Sequence, residues 1–178
     1  MTKRPVPPFE NDKICLRLLT SADLPLTLNW RNQDHIRKWF FHSDVIAIEQ
    51  HIRWFEQYLE RDDDFVFVIE SIVDNYLPVG QIALYHIDWP AKRAEYGRIM
   101  IAEPAARGKG LGRAATRLIL NIGFNYFHLQ EIYLEVFENN LAARAVYNDC
   151  GFKIVEIKDG IVHMNCITST ASEGEEAL

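Results

Sequence analysis

The sequence has few cysteines, no long hydrophobic run and no excess of positive charge. Its three cysteines among 178 residues, Cys15, Cys150 and Cys166, lie outside any CxxC or His-rich context, which excludes a disulfide framework and a zinc site. No run of about 18 apolar residues occurs, and Met1–Pro8 lacks the apolar core of a signal peptide. These absences predict a cytoplasmic protein with reduced thiols, no membrane contact and no metal.

The charge balance and the apolar content indicate an ordinary globular domain. A net charge of −6 argues against a general nucleic-acid binder, which normally has a basic face. Hydrophobic residues make up 48% of the chain, enough for one core at this length. We expect a single domain over residues 1–168 and a flexible acidic tail over residues 169–178.

Hydrophobic periodicity and turn residues predict alternating blocks of strands and helices. Strands are expected at Ile14–Leu19, Phe65–Ile69, Val79–Ile87, Tyr96–Ile101, Ile132–Val136, Phe152–Ile157 and Ile161–Cys166. Helices are expected from Leu24 to about Trp30 and over Ile48–Leu59, Lys109–Phe127 and Leu141–Asp149. This order predicts an α+β fold: a mixed, mostly antiparallel central sheet of about seven strands with helices on both faces.

A glycine-rich segment with three cations opens the third predicted helix. Arg107–Arg113 reads RGKGLGR; its alternate glycines let main-chain N–H groups approach an anion, and the helix N-terminus adds partial positive charge. It lacks the Gly-Lys-Ser/Thr ending of a Walker loop and lies too late in the chain for a dinucleotide fingerprint. The segment therefore favours a pyrophosphate site, with a solvated surface turn as the alternative.

Arg107, Gly110 and Gly112 match the signature of the GCN5-related N-acetyltransferase (GNAT) superfamily: Gln or Arg, two residues, Gly, one residue, then Gly or Ala. The sequence resembles that family over Ile14–Cys166, because the order of elements also matches. The resemblance implies the GNAT fold and acetyl-CoA as co-substrate, its pyrophosphate in the glycine-rich loop. The implied cofactor contacts are Ile99, Met100, Ile101, Arg107, Gly108, Lys109, Gly110, Leu111, Gly112, Arg113, Asn139, Asn140 and Tyr147.

In the resembled family, the strand before the loop pairs with the pantetheine arm at a bulge. The corresponding main chain here is that of Ile99–Ile101, which would donate an N–H to the thioester oxygen. Gly97 is compatible with such an irregularity, since a glycine within a strand often marks a bulge. A tight contact between strands would equally explain this glycine.

Asn140 and Tyr147 match the spacing of an Asn and a Tyr in the family's last conserved segment. Seven residues are two helical turns, so both side chains can face the cofactor. The resemblance implies that Asn140 bonds the pantetheine, with Asn139 as the alternative helix N-cap. Tyr147 would be the general acid that protonates the CoA thiolate; the alternative is a packed aromatic residue.

The base that takes the proton of the amine is expected to be Glu95, which matches a position where relatives place a carboxylate. His86 and Asp88, at the end of the neighbouring strand, are alternatives, because imidazole titrates near working pH. A solvated charge is the simpler explanation of Glu95. Cys150 has no His/Asp pattern that would activate it as a nucleophile. The resemblance implies direct transfer in a ternary complex.

The N-terminal half shapes the acceptor pocket in the resembled family. Here it is similar to the branch of ribosomal-protein N-terminal acetyltransferases and, more closely, to enzymes that acetylate nucleotide-linked aminosugars. Aromatic rings would stack on a base or sugar and cations would face a diphosphate, although core packing explains the aromatics as well. The expected acceptor contacts are Trp30, Arg31, Asn32, Trp39 and His86.

Together these features predict an N-acetyltransferase with a small-molecule amine acceptor, a nucleotide-linked aminosugar being preferred. The open alternatives are a protein N-terminal acetyltransferase and a CoA-binding domain without turnover. Dimers are common in the resembled family, which favours a homodimer.

Overall fold

The computed structural model describes residues 3–168, and one eight-stranded sheet runs through them. The strands are β1 (Phe9–Glu10), β2 (Ile14–Leu18), β3 (Phe65–Ser71), β4 (Leu77–Asp88), β5 (Arg93–Ile101), β6 (Glu131–Phe137), β7 (Lys153–Lys158) and β8 (Ile161–Ile167). The helices are α1 (Leu24–Arg31), α2 (Asp34–Arg37), α3 (Ile48–Leu59), α4 (Leu111–Asn121) and α5 (Leu141–Asp149).

The strand order is β1-β2-β3-β4-β5-β6-β8-β7. Every neighbouring pair is antiparallel except β5 and β6, which are parallel. The predicted α+β architecture with a mixed, mostly antiparallel sheet is confirmed. The acidic tail predicted for residues 169–178 lies outside the described residues.

Helices cover both faces of the sheet, so the side chains on both faces of β3 are buried. Its alternate residues Phe65, Phe67 and Ile69 belong to the main core, which α4 also enters. The residues between them, Val66 and Val68, pack in a second cluster that α3 enters. Because successive side chains of a strand point to opposite faces, a strand buried on both sides reads as a continuous apolar run.

Two short elements were not predicted, and β4 begins earlier than predicted. Strand β1 has two residues and helix α2 has four, and neither length is enough to produce a recognisable hydrophobic period. Pro78, just before the strand predicted at Val79–Ile87, lies inside β4. It pairs with Glu70 at the point where the register between β3 and β4 shifts, and proline is tolerated at such bulges.

The helix predicted over Lys109–Phe127 is shorter and ends in a wider turn. After α4 the chain forms one π-helical turn, Ile122–Tyr126, closed by the bond from Phe127 N–H to the Ile122 carbonyl, 2.9 Å. The extra residue in this turn rotates the following side chains. Tyr126 is 40% exposed, whereas Phe127 enters the core.

The bounds predicted for α3 are confirmed, but not all of its regularly spaced apolar residues are buried. Ile48, Ile52 and Leu59 are each more than 40% exposed, while Phe55 and Tyr58 are buried.

Within residues 3–168, no helix is long and apolar enough to cross a membrane. Nor does this part of the chain bring three His, Cys, Asp or Glu side chains together as metal ligands.

Candidate active site

The gap between β5 and β6 forms the first cavity. The two parallel strands pair only at Arg93–Glu95 with Glu131–Tyr133 and then separate. A cavity of about 310 Å³ opens there, lined by β5 from Glu95 to Ile101 and by residues of β6 and α5. Beyond Glu95, β5 pairs with β4 alone, so its other edge offers main-chain N–H and C=O groups to an extended ligand.

A bulge interrupts β5 inside this cavity. Gln81 and Ala83 of β4 pair with Met100 and Gly97, so two residues of β5 stand opposite one of β4. The first of the two, Arg98, has a left-handed φ of 51°, which turns the main chain of the next residue. The bulge therefore immediately follows Gly97.

Gly97 also makes a tight contact. A Cβ on Gly97 would lie 2.8 Å from the Tyr85 hydroxyl oxygen, closer than any ordinary carbon–oxygen contact. Both explanations considered for this glycine therefore apply: it adjoins the bulge and it admits Tyr85. The Gln81 amide donates to the Arg98 carbonyl at 3.3 Å and holds the bulged main chain in place.

The glycine-rich turn forms a shallow cavity of about 220 Å³ at the start of α4. Gly108 and Gly110 have φ values of 71° and 74°, a conformation that favours glycine, and Gly110 is the residue before the first helical turn. Helix N-termini leave main-chain N–H groups unpaired, which is what an anion requires. Ile101 lines this cavity and the first one, so the two are continuous.

The cations of the turn have unequal roles. Arg107 donates to the Ala102 carbonyl at 3.1 Å and contacts His35, and Arg113 forms an ion pair with Asp149 at 2.5 Å. Both line the shallow cavity, whereas Lys109 lies outside its lining, 3.9 Å from Asp74. The predicted contact of Lys109 with phosphate has no support in this geometry.

Lys13 was missed by the sequence analysis. Its ammonium lies 3.7 Å from where a Cβ on Gly110 would be, so it adds positive charge to the glycine-rich turn. The Asn11 amide holds this loop against α4 by donating to the Ala114 carbonyl at 3.2 Å. No sequence feature links Lys13 to Gly110, so this contact could be found only in the folded structure.

Asn140 and Tyr147 both line the first cavity from α5. Asn140 is the helix N-cap: its side-chain oxygen accepts from the Ala143 N–H at 3.3 Å, which leaves its amide N–H groups for a ligand. The alternative assignment of Asn139 as the cap is therefore wrong. Asn139 also lies outside the lining of the cavity.

The hydroxyl of Tyr147 belongs to a buried polar chain. The side chain is nearly inaccessible, and burial raises its pKa to about 12, while a hydrogen bond with the Tyr96 hydroxyl acts in the opposite direction. The Tyr96 hydroxyl lies 2.9 Å from the Thr116 hydroxyl, which donates to the Gly112 carbonyl at 2.8 Å. Tyr147 is therefore protonated at neutral pH, as a general acid must be.

Glu95 lies in the first cavity with two hydrogen-bond donors. One carboxylate oxygen accepts from the Tyr85 hydroxyl and the other from His86 Nδ1, both at 2.8 Å. The His86 side chain is 56% exposed and lies outside the cavity lining, so it reaches the cavity only through Glu95. Asp88, the other alternative base, accepts from the Ala91 N–H in a turn and lines no described cavity.

Cys150 shows no sign of activation. Burial raises the pKa of its thiol, and its sulfur lies 3.8 Å from the Arg113 carbonyl. A thiol whose charged form is disfavoured is a poor nucleophile.

Two residues predicted to contact the acceptor instead hold the fold. Trp30 is 1% exposed and donates from its indole N–H to Glu103 at 2.7 Å. Asn32 donates to the Ile46 carbonyl at 2.8 Å and accepts from the Ile46 N–H at 2.9 Å. Of the remaining predicted contacts, Trp39 lines the first cavity.

A second cavity of about 430 Å³ lies between α1, α3 and the loop that joins α2 to α3. Arg31, Phe40, His51 and Trp54 are among its lining residues. The first and second cavities share Phe40 and Arg98. The three cavities therefore follow one another, from the glycine-rich turn past the bulge to the space between α1 and α3.

A bulged strand with a free edge, followed by a glycine-rich turn that opens a helix, is the arrangement that the resemblance implies for an acetyltransferase that uses CoA. The chain belongs to the Acetyltransferase (GNAT) domain family, which matches residues 13–153. The predicted superfamily and the predicted enzyme class, an N-acetyltransferase, are therefore confirmed.

Curated relatives and solved structures agree with this assignment. The chain is 28% identical to a spermidine N(1)-acetyltransferase of Vibrio cholerae serotype O1, over 80% of both chains. It is also 28% identical to an aminoglycoside N(6')-acetyltransferase type 1 of Klebsiella pneumoniae, over 86% of this chain and 80% of the relative. These relatives give no support to a nucleotide-linked aminosugar as acceptor.

The crystal structure of spermidine N-acetyltransferase from Vibrio cholerae in complex with CoA and spermine has the same fold. Its TM-score is 0.81 at 24% identity, over 89% of this chain and 98% of that chain. A dodecameric structure of the enzyme from the same organism gives a TM-score of 0.72 at 23% identity, over 90% and 97%. The predicted GNAT fold is confirmed.

Proposed function

We propose that the protein transfers the acetyl group of acetyl-CoA to a primary amine of a small molecule. The continuity of the three cavities carries this proposal. The glycine-rich turn suits the pyrophosphate, the free edge of β5 suits the pantetheine arm, and the second cavity suits the acceptor. Volumes of a few hundred Å³ are typical of small-molecule sites.

The cofactor is held mostly by main-chain groups. The glycine-rich turn, with the side chains of Arg107 and Arg113, would surround the pyrophosphate at the start of α4, and Lys13 would be an additional cation. The main chain of Ile99–Ile101 bonds the pantetheine, and the bulge presents an N–H to the thioester oxygen, where negative charge develops during attack. Asn140 contributes its side-chain amide from the other wall.

The chemistry is a direct transfer. The neutral amine nitrogen attacks the thioester carbonyl carbon, the C–S bond breaks, and the thiolate takes the proton of the Tyr147 hydroxyl. The proton that the nitrogen loses as it becomes an amide then restores that hydroxyl. Glu95 accepts the proton that the ammonium group of the acceptor must lose before attack. His86, bonded to Glu95 and exposed to solvent, gives that proton a route out of the cavity.

Replacement of Tyr147 tests the proposed acid. Tyr147→Phe removes the proton donor while retaining the ring that packs against Tyr96 and Phe152. We expect kcat for CoA thiol release to fall about 100-fold or more, with acetyl-CoA affinity unchanged. The matched control is Tyr126→Phe, at a tyrosine that is 40% exposed and not among the lining residues of the first cavity, which should retain full activity.

The acceptor screen separates the alternatives. It contains spermidine, an aminoglycoside, nucleotide-linked aminosugars and peptides with free N-termini. Turnover of peptides alone would favour a protein N-terminal acetyltransferase. Tight acetyl-CoA binding with no turnover of any amine would favour a binding domain, and unchanged kcat in Tyr147→Phe would remove Tyr147 from the mechanism.

Self-association, absence of nucleic-acid binding and a cytoplasmic location stay predictions. Strand β7 is a sheet edge on which Ile154, Val155 and Ile157 are each at least 49% exposed. This is the surface we expect a homodimer to cover, because such edges are prone to pair with other chains. Sedimentation analysis of the purified protein tests it.

A further inference from the structure

The second cavity contains an arginine without a counter-ion. The guanidinium of Arg31, at the end of α1, lies over the Phe40 ring at 4.1 Å, and its Nη2 donates to the His42 carbonyl. Its Nη1 is buried without a hydrogen-bond partner. Among residues 3–168, no carboxylate forms an ion pair with Arg31.

The neighbouring arginines differ in this respect. Arg37 pairs with Asp34 and Arg98 with the buried Asp64, each at 2.8 Å. Burial, together with the positive charge of Arg37, lowers the pKa of Arg31. A partly buried charge without a partner is costly, so a bound anion would be stabilised at this place.

The other walls of the cavity suit a flat or apolar body. Phe40 and Trp54 line it, and the His51 ring stacks on Trp54 with centroids 5.3 Å apart. Asp44 is the only carboxylate among the described residues that line it. The cavity therefore offers more aromatic surface than negative charge.

His51 is an uncharged hydrogen-bonding group of this cavity. Burial lowers its pKa below the ordinary value of 6.5, so it is neutral at pH 7. The Thr27 hydroxyl donates to the Asp23 carbonyl at 3.1 Å and therefore accepts from His51 Nε2, also at 3.1 Å. This network assigns the Nε2–H tautomer and leaves Nδ1 as an acceptor for a ligand hydroxyl or amine.

The cavity adjoins the reacting centre. Arg98, which lines both the first and the second cavity, is the bulge residue that precedes Ile99. An amine at the inner end of a molecule in the second cavity would reach the thioester carbonyl, while its outer part remains beside Arg31.

We propose that the acceptor binds in the second cavity and carries, besides its amine, a carboxylate or a phosphate that pairs with Arg31. This inference rests on the proposed function and narrows its substrate class. It distinguishes the protein from its spermidine-acetylating relatives, because Arg31 repels the additional ammonium groups of a polyamine.

The test compares acceptors that differ only in the anionic group. Phenylalanine is paired with 2-phenylethylamine, and glucosamine 6-phosphate with glucosamine, while spermidine represents the polycations. Binding to the CoA-saturated protein is measured by calorimetry, and turnover is measured with acetyl-CoA. We expect the anionic member of at least one pair to bind about tenfold tighter than its partner, and spermidine to bind most weakly.

Three variants assign the preference to Arg31. Arg31→Gln should abolish the tenfold preference, because charge-assisted bonds of this kind are lost with the guanidinium. Arg31→Lys should retain most of it, which would show that charge and not a disturbed fold decides the outcome. Arg37→Gln, which removes a neighbouring cation already paired with Asp34, should change it less than about twofold.

Each result has one meaning. If phenylalanine binds more tightly than 2-phenylethylamine, the second cavity accepts a carboxylate. If glucosamine 6-phosphate binds more tightly than glucosamine, it accepts a phosphate. Equal or weaker binding of both anionic members, tighter binding of spermidine, or a preference that survives in Arg31→Gln overturns the inference. Failure to bind acetyl-CoA would instead overturn the proposed function, and the same calorimetry detects it separately.

Discussion

The proposed cofactor region and the proposed acceptor region of this site are built in different ways. In the cofactor region, the glycine-rich turn and the bulge of β5 offer mainly main-chain groups, and α5 adds the side chains of Asn140 and Tyr147. In the acceptor region, single side chains from α1, α3 and the intervening loop converge on the second cavity. Recognition by main chain depends on local conformation, whereas recognition by side chains depends on which segments the fold brings together.

The largest expected effect is on the cofactor region alone. Gly110→Val places a β-branched residue at a φ of 74°, which such residues avoid, and should distort the turn. We expect the Kd for acetyl-CoA, measured by calorimetry, to rise about 100-fold, or about 2.7 kcal/mol.

Gly112→Ala is the matched control for that substitution. Its added Cβ would meet only Ile101, at an ordinary 3.7 Å, so cofactor affinity should stay within about twofold because helical alanine costs nothing intrinsically. Wild-type affinity in Gly110→Val would show that the left-handed glycine is not needed.

A smaller effect, confined to the acceptor region, is expected for Asn32→Ala. The substitution removes two hydrogen bonds to Ile46 and should lower the free energy of unfolding by about 2 kcal/mol. Chemical denaturation measures this loss. The KM for the acceptor should rise while acetyl-CoA affinity is preserved, and a parallel loss of cofactor affinity would contradict the separation of the two regions.

Tyr96→Phe tests how Tyr147 is positioned. It removes one hydroxyl from the chain that joins Tyr147 to Thr116 while Thr116 retains its bond to the Gly112 carbonyl. We expect kcat to fall about tenfold, or about 1.4 kcal/mol, without a change in acetyl-CoA affinity. Thr116→Val, one step further along the chain, should have the smaller effect on kcat if the chain acts through Tyr147.

The smallest effect is a pH dependence from His51. Its pKa is lowered in the folded protein by burial, so below pH 6.5 the unfolded chain binds a proton that the folded protein does not. Its contribution to stability is therefore present above pH 6.5 and is lost as the pH falls. The free energy of unfolding, measured by urea denaturation between pH 5 and 7, should fall less steeply with decreasing pH in His51→Gln than in the wild type.

The sequence predicted the main-chain part of the site better than the part built from side chains. The glycines of Arg107–Arg113 predicted a tight turn at the start of α4, since glycine at alternate positions has a direct conformational meaning, and binding of an anion there stays a prediction. Lys13 could not be found beside that turn, because the sheet and the bond from Asn11 to Ala114 bring it there. For Trp30 and Asn32, the residue type suggested a ligand, but burial and partners on distant segments give them structural roles.

The sequence by itself determined the order of the elements, the α+β class, the position of the anion turn and the spacing of Asn140 and Tyr147. All of these arise from contacts within a few residues, where period, turn chemistry and capping act. The tertiary structure decided the separation of β5 from β6, the hydrogen bonds of Glu95 and the unpaired charge of Arg31. These depend on long-range packing, which places residues side by side irrespective of their distance along the chain.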